Sequence, residues 1–375
     1  EKPAEFFNSK IDELLFEVGA NWNVNTTFRP MRYQNYKLNE DSKFSDSLSI
    51  KFTPGFLNKN DNISLYFYEH ITFKKNFYSY LYARIVDEPS EFPRYSGKSQ
   101  DNSRFGFTSG EVDLSGVGYQ NDWLLLQIGR GRQSWGAGSD IQLALSNKSA
   151  AYDYSLLGMD FDKIRFRYMH GFLDSDSIGF NRYIVSKGIE YSNLKSLIFS
   201  LSEIVIYSGR NRPIDFSYLN PLSSHLEIEL NDRQNLSGTK SGNAIWQFSL
   251  DWMIYKNLRF SGNLVLDELV IDQIEKDLGK DHRIANSLRI SYRLFNQNKF
   301  YLIGYISSIK VGTLTFRHGD GKNNFTNRGM PLGWEHGSDS FENKIGLKFF
   351  DKQYFIFTAE FGARSSGENN ILQHP

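Results

Sequence analysis

The chain alternates apolar and polar residues with a period of two over most of its length. In Ile164-Arg165-Phe166-Arg167-Tyr168-Met169-His170-Gly171-Phe172 the apolar side chains fall at 164, 166, 168 and 172, with charges between them. Successive side chains of a strand point to opposite faces, so this pattern makes a strand with one greasy and one wet face. The same alternation runs through Leu288-Arg289-Ile290-Ser291-Tyr292-Arg293-Leu294, through 258–267 and through 355–361. Similar segments recur at 13–24, 47–57, 62–73, 77–87, 110–119, 122–130, 153–161, 184–192, 197–207, 225–232, 243–254, 300–318 and 342–350. A chain built of such segments must form a large sheet whose two faces meet different surroundings.

The pattern predicts an all-β fold, a closed antiparallel transmembrane barrel of about 18 strands of roughly 9 to 12 residues, the length a tilted strand needs to cross a bilayer. Links such as Phe161-Asp162-Lys163, Tyr255-Lys256-Asn257 and Asp351-Lys352-Gln353 are very short. The connections 88–109, 131–152, 208–224, 272–285 and 319–341 are long and rich in Gly, Asn and charge. Short turns on one rim and long loops on the other suit an outer-membrane barrel. The competing fold is a soluble all-β protein, since sheets packed on a core also alternate. Aromatic residues make up 15% of the chain, with 31 Phe, 21 Tyr and 6 Trp, as lipid-facing bands and interfacial girdles require.

Only nine prolines are present and no Pro/Ser-rich linker divides the chain, so 1–375 is read as one barrel domain, with a short N-terminal helix at 3–15. No stretch reaches the roughly 18 to 20 apolar residues of a transmembrane helix, and mean hydropathy is −0.47. The chain opens at Glu1 without a basic and then apolar leader, and any secretory signal is expected to have been removed. Basic and acidic residues balance at 43 each, which gives no footprint for nucleic acid. Cysteine is absent, which removes disulfides, thiolate metal sites and thiol nucleophiles.

The most specific loop is Gly129-Arg130-Gly131-Arg132-Gln133-Ser134-Trp135-Gly136-Ala137-Gly138, followed by Leu143-Ala144-Leu145-Ser146-Asn147-Lys148-Ser149-Ala150. Its glycines suggest close backbone approach, and it lacks the Gly-Lys-Ser/Thr ending of a phosphate loop. With it go Phe216-Ser217-Tyr218-Leu219-Asn220-Pro221-Leu222 after Ile206-Tyr207-Ser208-Gly209-Arg210, then Leu264-Val265-Leu266-Asp267-Glu268, and His318-Gly319-Asp320-Gly321 with Asn327-Arg328-Gly329-Met330-Pro331-Leu332-Gly333. These four segments, in this order and spacing, resemble those of the capsule assembly Wzi family. Ala137 stands where that family commonly has Pro, and the chain lacks a final aromatic strand end. The resemblance implies a barrel in the bacterial outer membrane that attaches or assembles capsular or other extracellular polysaccharide without an enzymatic step. Its partners would be that polysaccharide and outer-membrane lipid, with no cofactor, and a monomer is expected.

Other readings remain open. A porin or substrate channel would use the same strands, and a lipid or glycan hydrolase would need an acid, base or nucleophile. Ser200 or Ser202 with His170, the pair Asp267 and Glu268, and the pair Glu227 and Glu229 on one strand face are the candidates for the last. The seven histidines form no paired zinc motif, although His318 and Asp320 share a loop. Arg165, Arg167, Arg259, Arg289 and Arg293 fall on polar faces and are expected inside the barrel, paired with acids. Sugars are held by aromatic faces ringed with hydrogen-bonding side chains, so Arg130, Arg132, Trp135, Arg210, Arg212, Arg328 and Trp334 are the expected glycan contacts.

Overall fold

The computed structural model describes residues 25–29, 48–74, 76–92, 95–175, 179–235, 242–268, 270, 282–297, 300–351 and 355–373. The strands are β1 Phe28–Arg29, β2 Ser49–Lys59, β3 Asn62–Phe73, β4 Phe77–Val86, β5 Ser109–Gln120 and β6 Leu124–Gly131. They continue as β7 Ser134–Trp135, β8 Tyr152–Phe161, β9 Ile164–Phe172, β10 Phe180–Ser192, β11 Leu197–Arg210, β12 Gly242–Tyr255 and β13 Leu258–Glu268. The last are β14 Arg283–Gln297, β15 Phe300–Val311, β16 Thr326–Asn327, β17 Met330–Pro331, β18 Ser340–Asp351 and β19 Ile356–Ser366. Two short helices, α1 Phe216–Leu219 and α2 His225–Leu230, lie between β11 and β12.

Fifteen strands, from β2 to β19 without the short β7, β16 and β17, form one sheet in which each pairs antiparallel with its neighbours in the chain. Each of the fifteen matches an alternating segment of the sequence, but two of the expected segments are corrected. The expected strand at 225–232 is helix α2, because Ser224 accepts a hydrogen bond from the Glu227 amide and caps a helix start. The segment 300–318 leaves the sheet after Val311. The expected strand at 13–24 and helix at 3–15 lie outside the described residues. Every second connection, beginning with 74–76 and 121–123 and ending with 352–355, is two to four residues long. The opposite rim carries 87–108, 132–151, 211–241 and 312–339.

One face of the sheet is covered by two segments of the chain itself, and we call it the inner face. Residues 25–29 run along β9 to β11, where β1 pairs with β7. The excursion 132–151 crosses β12 to β14: Asn263 Oδ1 accepts from the Ala137 amide at 2.7 Å, and Ser287 Oγ donates to the Ile141 carbonyl at 2.7 Å. Gly138, at φ +75°, takes the left-handed turn that this crossing needs. Trp135, Ile141, Leu143 and Leu145 are fully buried there with Phe28, Ile204, Ile206 and Ile245.

Of the five arginines expected on this face, Arg165, Arg167 and Arg259 meet carboxylates as the sequence predicted. Arg289 stacks on a tyrosine, and Arg293 donates to the Asn257 side chain and the Lys256 carbonyl. Arg259 Nε donates to Asp251 at 2.6 Å, Arg167 meets Asp160 at 2.5 Å, and Arg289 lies over the Tyr305 ring at 3.5 Å. Glu190, with no exposed surface, accepts from Arg165 at 2.8 Å, from the Thr27 amide and hydroxyl at 2.6 Å each, and from the Thr26 hydroxyl at 3.1 Å. The outer face instead exposes Ile50, Phe56, Val117, Ile128, Ile189, Phe199, Trp252, Leu288, Ile345 and Phe361. A soluble sheet would bury such a belt, whereas a bilayer covers it.

The outer face has one region of different character. Tyr168 and His170 of β9, Tyr183, Val185 and Lys187 of β10, and Glu203, Val205 and Tyr207 of β11 sit on outward-facing positions, yet all are buried. Helices α1 and α2 cover them. Tyr218 stacks on Tyr207 at 4.4 Å, Tyr207 on Tyr183 at 4.9 Å, and Lys187 pairs with Glu203 at 2.9 Å beneath the α2 start. Glu203 also accepts from the His225 amide at 3.1 Å, and Lys187 donates to the Ser223 carbonyl.

Breaking a buried ion pair from one side leaves an uncompensated charge. Glu190→Ala should therefore lower stability by about 3 to 5 kcal/mol, whereas Glu190→Gln, which keeps acceptors for Thr26 and Thr27, should lose less. Denaturant unfolding of protein folded into vesicles measures both, and equal loss would contradict the role given to the Thr26 and Thr27 hydrogen bonds.

Candidate functional site

The described polar cluster that best combines charge with partial exposure stands at the long-loop rim, where β4, β5 and β6 meet the excursions 132–151 and 312–339. A bulge in β5 opposite Tyr82 and Ala83 turns Asp113 toward the buried Arg84, and the two form a close ion pair. Arg132 approaches the same carboxylate at 3.7 Å and donates through Nε to the Ser149 carbonyl at 2.7 Å. Two residues back, Glu111 receives Arg130 and, at 3.2 Å, Arg328. Arg130 also donates to the Val112 carbonyl at 2.9 Å and to Asp153 at 3.1 Å, and Arg328 to the Ser96 carbonyl at 2.9 Å. Tyr95 lies under the Arg84 guanidinium at 4.9 Å, its hydroxyl 2.9 Å from Ser109 Oγ. Burial raises the Tyr95 phenol above its ordinary value, so it stays a neutral hydrogen-bonding group.

Four guanidinium groups thus share three carboxylates, and Arg130, Arg132 and Arg328 keep part of their edges open to water. Such a cluster is rigid before any ligand arrives. It can donate hydrogen bonds to hydroxyl or carboxylate oxygens, and charge-assisted bonds of this kind are the stronger class.

The other sequence candidates are placed elsewhere. Trp135 is 1% exposed, tilted against Phe28 at 4.7 Å, and its carbonyl accepts from Gln247 Nε2 at 3.1 Å. Its ring offers a sugar no face, because the glycine-rich run turns inward. Arg212 is fully buried over the Tyr207 ring at 4.7 Å, donating to Asp215 at 3.0 Å and to the Ser208 carbonyl at 2.9 Å. It holds the base of the α1–α2 excursion and is likewise closed to ligand. Trp334 is 6% exposed and its amide donates to the Leu143 carbonyl at 3.0 Å. Arg210 is exposed at the end of β11, separated from β6 by β8, β9 and β10. Sequence reading missed Arg84, Tyr95, Glu111 and Asp113. The Glu111-x-Asp113 pair was visible as two charges on one strand, but the bulge that lets both meet arginines was not.

The serines and the histidine of the hydrolase reading do not come together, and its carboxylates are engaged in other contacts. Ser200 and Ser202 are on the inner face, where Ser200 accepts from Thr27 at 2.8 Å, while His170 is on the outer face with its Nε2 2.8 Å from the Tyr207 hydroxyl. Glu227 and Glu229 ride on helix α2, and Glu227 pairs with Arg233 at 2.6 Å. Asp267 accepts from the Phe316 amide at 2.6 Å, and Glu268 pairs with Arg283 at 3.0 Å. Among the described residues no three His, Asp or Glu side chains gather as metal ligands.

No protein-family model matches the sequence, and none of the curated proteins does. The fold does have solved counterparts. Wzi, an outer membrane protein involved in group 1 capsule assembly in Escherichia coli and described as a carbohydrate-binding β-barrel, is similar with a TM-score of 0.59 at 12% identity, over 87% of this chain and 71% of Wzi. The chain has an outer-membrane β-barrel fold. A loop-deletion mutant of OmpT, an outer membrane protein of Vibrio cholerae, gives 0.43 at 9% identity over 85% of this chain and 95% of its own. A bacterial polysaccharide outer membrane secretin gives 0.40 at 9% over 86% and 91%.

Within this barrel fold, the segments that resemble the capsule assembly family are joints. The first and last meet each other: the Ser146 amide donates to the Leu332 carbonyl at 2.9 Å, and an added Cβ at Gly333 would stand 1.7 Å from the Leu143 carbonyl oxygen.

Two predictions separate packing from recognition. Trp135→Ala should cost about 3 to 5 kcal/mol of stability, as truncation of a large buried aromatic does, while Arg328→Ala should leave the unfolding midpoint nearly unchanged; thermal or denaturant unfolding measures both. Burial first, and then the Arg283 guanidinium, lower the His318 imidazole below its ordinary value of 6.5. Its neutral form therefore supports the 312–339 excursion above that pH, and the support is lost as pH falls below it. Protease nicking of this excursion should speed up between about pH 7.5 and about pH 5.5, and His318→Gln should flatten the difference.

Proposed function

We propose that this chain closes into an antiparallel barrel in the bacterial outer membrane and holds capsular or other extracellular polysaccharide at its long-loop rim, without an enzymatic step and as a monomer. The observation that carries this reading is the filled inner face. Residues 25–29 and 132–151 are hydrogen-bonded across β9 to β14, and the charges around them are paired, so the space a diffusion channel would use holds buried side chains. A porin keeps a wet lumen, and its selectivity comes from charges facing that water.

Closure has a parity condition. The fifteen-stranded sheet is antiparallel throughout, so its edge strands β2 and β19 run in the same direction. An antiparallel barrel closes through an odd number of further strands, which gives the even total usual for single-chain bacterial barrels. The long loops face the exterior on this reading, and the short turns the periplasm. Arg130, Arg132, Arg328 and the separate Arg210 are the proposed glycan contacts. The resemblance of the loop segments and the described carbohydrate binding of Wzi, whose fold is similar, support the ligand class.

In planar bilayers the purified protein should show no large stable conductance, and deleting 136–145 should produce one. Purified surface polysaccharide should bind the intact protein, and Arg130→Ala with Arg328→Ala should weaken that binding at least about tenfold, as loss of two charge-assisted contacts implies. Stable conductance from the intact protein would favour the channel reading instead.

A further inference from the structure

The α1–α2 excursion is apolar on two opposite sides. Tyr218, His225 and Ile228 face the outer wall of β9 to β11 and are buried against it. On the other side Phe216 and Leu222 are 84% and 85% exposed, and Leu226 and Leu230, one turn apart on α2, are 58% and 69% exposed. Apolar side chains gathered on one exposed side of a segment mark a surface that something covers. The wall covers the first side. The second continues the apolar belt of the same outer face, where Trp246, the strand partner of Glu203, and Phe199 of β11 stand exposed.

We infer that this excursion lies in the outer leaflet, with Phe216, Leu222, Leu226 and Leu230 against lipid acyl chains and the Lys187–Glu203 pair sealed behind it. The occupant of the exposed side is the bilayer. A charged side chain that points at lipid is costly unless it is paired and shielded, and the excursion supplies the shield. The ion pair of Glu227 with Arg233, which are partly exposed, marks the edge of the segment that meets headgroups and water. Short amphipathic helices commonly rest at this boundary with their apolar side turned to the chains. The inference rests on the outer-membrane reading.

The test uses the absence of cysteine from the sequence, which makes single-site labelling clean. Leu222→Cys carries a bimane fluorophore in the full-length protein, reconstituted in phosphatidylcholine vesicles with or without brominated acyl chains. Ile128→Cys, on the outer face of β6, is the belt reference, and Phe105→Cys, fully exposed in the 87–108 loop, is the water reference. The expected result is loss of L222C fluorescence in brominated lipid equal to that of I128C, with aqueous iodide quenching only F105C. If I128C responds to lipid while L222C responds to iodide, the inference is overturned and the membrane reading stands. If I128C itself responds to iodide, the membrane reading fails first. Oxidative cross-linking of unlabelled L222C into dimers within the vesicles would assign the patch to a second copy, and would also overturn the inference.

Discussion

Pairing of buried charge on the inner face is what the rest of the structure depends on. A wall of alternating residues facing lipid must turn its polar half inward, and a polar half that is not left in open water needs a partner for every charge. Glu190 shows the solution in small. Its carboxylate binds an arginine of the wall and two threonines of the inner segment, so the wall and its filling are joined by one set of hydrogen bonds. Removing the inner segments would strand charges such as these, and the covering of the inner face is therefore a property of the wall as much as of the loops.

The filling also explains why the most distinctive sequence segments are poor guides to ligand contact. Gly129 to Ala150 and Asn327 to Gly333 carry the family resemblance, and apart from Arg130, Arg132 and Arg328, which keep an edge open at the rim, most of both is spent on architecture. Their backbones meet between Ser146 and Leu332, and no side chain fits at Gly333 beside the Leu143 carbonyl. Such contacts demand specific residues, which gives these segments their character. What the joints leave at the surface is the set of arginine edges around Glu111 and Asp113, the glycan contacts proposed above.

Much of the wall was legible in the alternation because each strand sees two different environments over its whole length. The inward placement of Arg165, Arg167, Arg259 and Arg289 followed from the same parity. Parity also misled at 225–232, where Leu226, Ile228 and Leu230 alternate with Glu227 and Glu229 as a strand would. The Ser224-x-x-Glu227 spacing was the counter-signal, since a serine three residues before a glutamate caps a helix. Side-chain burial at Trp135 and Arg212 was not legible, because a loop sequence does not say whether it turns onto the inner face, over the wall or away into water.

The stretch of wall under α1 and α2 shows how far alternation can be relaxed. Lys187 and Glu203 occupy positions that the belt gives to apolar residues, and the pattern of β10 and β11 weakens there, since a covered wall need not be greasy. Polarity on the outward face of a strand is thus informative about what lies outside it. The aromatic stack of Tyr183, Tyr207 and Tyr218, with Arg212 over Tyr207, fixes the excursion against the wall at a place where lipid alone would leave two charges and His170 poorly solvated. Wall and excursion solve one electrostatic problem together, as the inner segments do on the other side of the same strands.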